Sequence, residues 1–308
     1  MSLSTEQMFR HIVEMQIELN EKTVPGWLDK GLDWDAAILT EVAEAIDSTD
    51  WKWWKHTEAD LANLRVEAID LLHFLVSSNL QHAHRLVGYI SFDHLLERIV
   101  FIYSYAQENH KDCEALGRNY SFLLKGIARE SLNRNPGAAL SHLFHVFFKL
   151  GMDDKSIYQA YITKNLLNHY RQERGYSLAA HGYKKIINGR EDNVIFAEAV
   201  SLALAFYNKV SSVDGFDIKT LGQDETEGIG KAILANTSFK IHLKTDSPLI
   251  ERIKELTFNL MDDAVNGGFL LDRFRSVAES GNGGNNLRFV DRNGMLFNGD
   301  TLIEWGSK

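Results

Sequence analysis

Four carboxylates at a repeated spacing point to metal chemistry. Glu41 and Glu44 stand three residues apart in a stretch free of Gly and Pro, and Glu67 and Asp70 repeat that spacing further along. On helices, each pair shares one face. Two such helices packed side by side gather four like charges, which repel and take up protons unless a cation sits among them. All-oxygen ligation suits magnesium or manganese better than zinc. A single E-x-x-E is better explained as a solvated helix face. Here, however, both pairs lie among apolar positions, and Ala43, Ala45 and Ala68 beside them would let two backbones approach. A competing metal chemistry starts from Asp70 and His73, also at i, i+3. A di-iron bundle takes a Glu-x-x-His from each of two helices, and the position three beyond Glu44 is Asp47, so iron is disfavoured. His73 is then either a substrate contact or a satisfied core histidine.

These residues need helices to hold them, and the apolar periodicity supplies them. Met8, Phe9, Ile12, Met15 and Leu19 predict a helix over 5–21, opened by a capping box of Ser4 and Gln7. Val24-Pro25-Gly26 breaks it. Ile38, Leu39, Val42 and Ile46 predict a second helix over 35–46, and Leu61, Leu64, Ala68, Leu71, Leu72 and Leu75 a third over 61–80. The tryptophan-rich run 48–60 separates these two. Further helices are expected over 92–107, 119–133, 138–151 and 155–174, giving a mainly α fold. The pattern changes after Val213, in DGFDIKTLGQDETEGIGK. Beyond it a strand is expected at 239–243, one or two helices over 248–277, and short strands in RFVDRNGMLFNGDTLIEW with an Asn293-Gly294 turn. The expected organisation is a helical catalytic domain over 1–212 and a C-terminal α+β extension over 213–308.

Composition bounds the function. The chain has 308 residues, 44% hydrophobic and 24% charged, with three prolines, an ordinary balance for a globular fold. A formal net charge of -9 argues against stable nucleic-acid binding, which draws its affinity from Lys and Arg. The one cysteine, Cys113, cannot form an internal disulfide or a thiolate metal site, and reads as a small buried apolar residue. The start MSLSTEQMFRHIVEM lacks a signal-peptide pattern, and no stretch has the apolar length of a membrane span. A cytoplasmic protein without membrane association is expected.

The run EVAEAIDSTDWKWWK followed by VEAIDLLHF resembles the all-alpha dimeric dUTPases, part of the all-alpha NTP pyrophosphohydrolases. The order E-x-x-E, WKWWK, E-x-x-D is similar to that family's metal signature. QIELN upstream, and YITKNLLNHYRQERGY and GREDNVIF downstream, resemble its remaining motifs. The resemblance implies hydrolysis of dUTP, and of dUDP, to dUMP, by water attacking the α-phosphorus with two or more Mg2+ ions across the phosphates and Mn2+ as a substitute. It implies Glu41, Glu44, Glu67 and Asp70 as metal ligands, Glu41 or Glu44 as the general base, and a homodimer.

By the same resemblance Lys164, Arg171 and Lys184 match basic positions that hold phosphate, with Tyr176 donating a hydroxyl hydrogen bond beside them. Without the family, KN..N..R is only the polar face of a helix. Base and sugar recognition would fall to Gln16, Asn20 and Asn168, whose amides both donate and accept. Trp53 or Trp54 would stack on the base or wall the pocket, although clustered tryptophans are more often packing. Lys52 and Lys55 reach either phosphate or solvent. The family pattern ends well before this chain does, leaving about a hundred residues without a counterpart. Two rivals stand beside dUTP hydrolysis. One is a related enzyme preferring dCTP or another nucleoside triphosphate, and the other is a regulatory protein that senses nucleotide without turnover.

Overall fold

The computed structural model describes residues 3–87, 92–117, 119–176, 183–200, 232–233, 248–265, 288–290, 296–298 and 301–304. The chain is mainly helical, and it divides into two compact units, Ser4–Glu173 and Arg174–Lys308 with Met1–Leu3. Among the described residues no helix is long and apolar enough to cross a membrane.

In the first unit, α1 (Thr5–Thr23) opens with the expected capping box, Ser4 accepting from the Gln7 amide while the Gln7 side chain bonds back to the Ser4 amide. The chain then turns at Gly26, whose φ of 69° few other residues adopt, into a 3-10 turn, Trp27–Asp29. After α2 (Trp34–Asp47) and the tryptophan-rich loop comes α3 (Leu61–Val87). It runs beyond the expected end at Leu80 because QHAHRLV contains no Gly or Pro to stop it. Then follow α4 (Phe92–Glu108), α5 (His110–Ala115), α6 (Tyr120–Leu132), α7 (Pro136–Lys149) and α8 (Asp154–Glu173). The periodicity missed α5, since six residues are too few to show a repeat. Pro136 opens α7 at a position where a missing N–H costs nothing, with Asn135 as the cap.

The centre of this unit is α3, which packs against α1, α2, α7 and α8. It is therefore apolar on more than one side. Leu64, Ala68, Leu71, Leu72 and Leu75 are wholly buried, whereas Leu61, expected in the apolar face, is 39% exposed. Cys113 is buried and free, as expected of a small apolar residue. Gln81 ties α3 to the turn before α2. Its Nε2 donates to the carbonyls of Trp27 and Lys30 at 2.8 Å each, and its Oε1 accepts from the Trp34 indole at 3.0 Å. This fixes how far α2 slides along α3, and hence which carboxylates meet.

The second unit contains an antiparallel hairpin, β1 (Ile186–Ile187) with β2 (Arg190–Glu191). Asn188 and Gly189 join them with φ of 51° and 79°, the signature of a tight two-residue turn. Residues 192–200 are helical, and Phe196 packs against Phe258 of the helix Pro248–Val265. Short strands at Ala232–Ile233 (β3), Arg288–Val290 (β4), Leu296–Asn298 (β5) and Thr301–Glu304 (β6) form an antiparallel sheet in that order. Three of these fall in the run where strands are expected. The expected strand at 239–243, the Asn293-Gly294 turn, the boundary at 213 and the part of 248–277 beyond Val265 lie outside the described residues.

Candidate active site

On α2 and α3, Glu41, Glu67 and Asp70 each bring a carboxylate oxygen within 4.8 Å of the others. α2 packs along α3, and Ala45 of α2 and Ala68 of α3 are both fully buried. Ala43 is a correction to the expectation, for it faces solvent. Glu44 also falls outside the cluster: it is one turn further along α2 and exposed. A helix repeats every 3.6 residues, so residues three apart diverge by about 60° around the axis, and a tight contact can gather one and leave the other outside.

Partial burial, followed by repulsion from Asp70, Glu44 and Glu67, pushes the Glu41 carboxyl up to about 8. Burial and the charges of Asp70 and Glu44 also raise Glu67, although Asn63 donates a hydrogen bond to it at 3.1 Å. The cluster thus holds more negative charge than its surroundings balance. Lys164 of α8 contacts it directly, its Nζ 2.7 Å from an Asp70 oxygen. The donor set is all oxygen, closely spaced and undercompensated, and it fits a small hard divalent cation.

Next to the carboxylates lies a buried polar network. Gln16 donates from Nε2 to Asn20 Oδ1 at 2.8 Å and to Ser77 Oγ at 3.0 Å, and Asn20 donates to the same hydroxyl at 2.9 Å. Ser77 donates onward to the His73 carbonyl, and the Tyr161 hydroxyl donates to Gln16 Oε1 at 2.6 Å. The His73 ring stacks on Tyr161, with centroids 4.2 Å apart and planes at 17°. Ser77 and Tyr161 were not singled out from sequence. Ser77 lies four residues beyond His73 on the same face and Tyr161 one turn before Lys164, yet neither residue type is rare enough in a helix to stand out.

The solvated-face explanation of the α8 motif fails, because Lys164 and Arg171 are each less than a tenth exposed and Asn165 is fully buried. Asn168 is half-buried. In the single chain the tryptophans of the loop are open to solvent: Trp53 is 89% exposed and Trp54 57%, with their rings edge to face. Their loop is tied at its base, where the Asp60 amide donates to the Ser48 carbonyl and Asn63 to Ser48 Oγ. Within the loop Lys52 pairs with Asp47, while Lys55 is exposed. Tyr176 and Lys184 belong to the second unit; Tyr176 sets its ring edge-on to Tyr183, and Lys184 is exposed.

This combination of an acidic cluster, a buried cation and an amide network falls within residues 8–176, which match the family model described as dUTPase. The chain belongs to the dUTPase family. It is by that membership a dUTP diphosphatase. The match covers the carboxylates, the amide network, the tryptophan loop and all of α8, and stops short of Lys184 and GREDNVIF. Within the latter, Asp192 is fully buried and accepts from the Tyr183 hydroxyl at 2.8 Å. No curated protein matches the chain.

Proposed function

We propose that the chain hydrolyses dUTP to dUMP and pyrophosphate, and dUDP to dUMP and phosphate, with magnesium at the α2–α3 carboxylates. The observation that carries this is the convergence of Glu41, Glu67 and Asp70 within the family-matched segment. These three would hold the cation, and Glu44 one turn away is the fourth acidic group facing substrate and water. When bound, the ion neutralises polyphosphate charge and makes the attacking water more acidic. Glu41, raised toward neutrality by its surroundings, or Glu44, open to solvent, takes the water's proton. Lys164 stands beside Asp70 as a point charge for phosphate, with Arg171 on the same helix. The Gln16 and Asn20 amides, with Asn168, face base and sugar, and Trp53 or Trp54 covers the base. Tyr176 and Lys184 enter only through the family's motif order. The active species is a homodimer, which light scattering checks.

The deciding experiment is pyrophosphate release with magnesium across dUTP, dCTP, dTTP, dATP, dGTP and UTP. dUTP should be turned over fastest, and chelation should abolish the reaction. Equal use of dCTP would favour the rival specificity, and nucleotide binding without turnover would favour the sensing role.

A further inference from the structure

We propose that Asn63 is a positioning residue for the metal site: its NH2 group holds the Glu67 carboxylate in place for ligation and fastens it to the end of α2. This rests on the magnesium reading above and adds a residue that acts on the ion only through Glu67.

Asn63 stands in the first turn of α3, four residues before Glu67, so the two share one helical face. Its Nδ2 donates to Glu67 Oε1 at 3.1 Å and to Ser48 Oγ at 2.8 Å. Ser48 caps the C-terminal end of α2, and its hydroxyl hydrogen is spent on the Glu44 carbonyl, 3.2 Å away. Toward Asn63 its oxygen is therefore an acceptor, and an ionised carboxylate accepts only. Two acceptors, one from each helix, thus meet at a single point. A primary amide satisfies both, because it carries two N–H groups on one nitrogen. A carboxylate at position 63 would offer lone pairs to both, and a hydroxyl would bring one hydrogen for two acceptors.

The backbone of Asn63 is fixed independently of its side chain. Its N–H donates to Asp60 Oδ1 at 2.9 Å, and the Asp60 amide donates to the Ser48 carbonyl at 2.9 Å. Ser48 and Glu67 are buried, whereas Asn63 is exposed. An exposed residue whose amide turns inward onto two buried acceptors fills no space in the core. What it supplies is the pair of hydrogen bonds.

Glu67 needs that support because it lies among like charges, with Glu41 and Asp70 oxygens within 4.8 Å. Repulsion favours turning it out of the cluster. The Asn63 hydrogen bond opposes that turn, so the carboxylates are gathered before a cation arrives and less ordering is left for binding to drive. The same amide grips Ser48, so Glu67 also keeps its register against α2, which carries Glu41.

The test is Mn2+ titration of the full chain without nucleotide, read by electron paramagnetic resonance, in wild type, Asn63→Leu and Asn63→Gln. Leucine has similar size and branching but no donor, while glutamine keeps the NH2 group on a longer stem. Position 63 is exposed, so neither variant leaves a core cavity. Asn63→Leu should raise the Mn2+ Kd by about tenfold, and Asn63→Gln should recover part of that loss. With dUTP, Asn63→Leu should raise the magnesium concentration for half-maximal rate by a similar factor and leave kcat at saturating magnesium near wild type, because the bound ion then holds Glu67 itself. An unchanged Mn2+ Kd in Asn63→Leu, a loss that Asn63→Gln does not recover, or a loss confined to kcat overturns the inference and leaves dUTP hydrolysis standing. A wild-type chain that binds Mn2+ but does not cleave dUTP overturns the dUTP reading and leaves the role of Asn63 to the Kd values. Absence of Mn2+ binding in wild type overturns both.

Discussion

Glu41 and Glu44 differ in position around the α2 axis, and only Glu41 joins Glu67 and Asp70 of α3 in the closed cluster, which predicts different consequences for the same change. Glu67→Gln keeps the side chain's volume but removes a charge from the closed cluster. It should weaken magnesium binding and lower turnover by on the order of a hundredfold or more. Glu44→Gln, outside the cluster, should leave metal affinity near normal while slowing turnover. Mn2+ titration followed by electron paramagnetic resonance, alongside kcat, separates the two. Equal losses of affinity would make Glu44 a metal ligand. The i, i+3 spacing nominated all four carboxylates equally, because a spacing fixes which residues share a face but not the angle at which that face meets its partner.

At the scale of the element, the crossing of α1 over α3 is held by polar contacts as well as apolar ones. Ser77 Oγ accepts from both Gln16 and Asn20, so Ser77→Ala would leave two buried amide donors short of a partner. A loss of about 1–3 kcal/mol in folding stability is expected. In urea the midpoint should fall with the slope unchanged, since no large surface is exposed or hidden by the change. The helices themselves were legible in advance, with ends displaced by a few residues where no Gly or Pro marked a stop. The Asn188-Gly189 turn carried its own signal but joins strands of two residues each, too short to alternate visibly.

For the molecule as a whole, the raised carboxyls link stability to pH and to metal. In the unfolded chain the Glu41 carboxyl titrates near 4.5, and in the folded protein near 8. Between these values the folded state retains a proton that the unfolded chain has released, so the metal-free protein should lose stability as pH rises from about 4.5 to 8. Glu67, shifted in the same direction, adds to this. Below about 4.5 this contribution is present in full. Magnesium binds the ionised cluster, so the rise in melting temperature on adding it should be larger at pH 8 than at pH 5. Scanning calorimetry in chelator and in magnesium checks this. A metal-free melting temperature that climbs through the same range would contradict the cluster's electrostatics. Both carboxyls lie in the Ser4–Glu173 unit, which contains all three clustered carboxylates and the amide network.

The sequence by itself determined the longer helices of the first unit, the paired carboxylates and the motif order that identifies the family, because each is written in spacings of a few residues along one segment. Only the tertiary structure decided that Glu41, Glu67 and Asp70 close to within 4.8 Å of one another, that Lys164 neutralises Asp70, and that Gln16, Asn20, Ser77 and Tyr161 form one network around His73. Those contacts join residues as far apart as Gln16 and Tyr161. They depend on how each helix is rotated and shifted against its neighbours, which is set by side-chain packing across the core rather than by any local period.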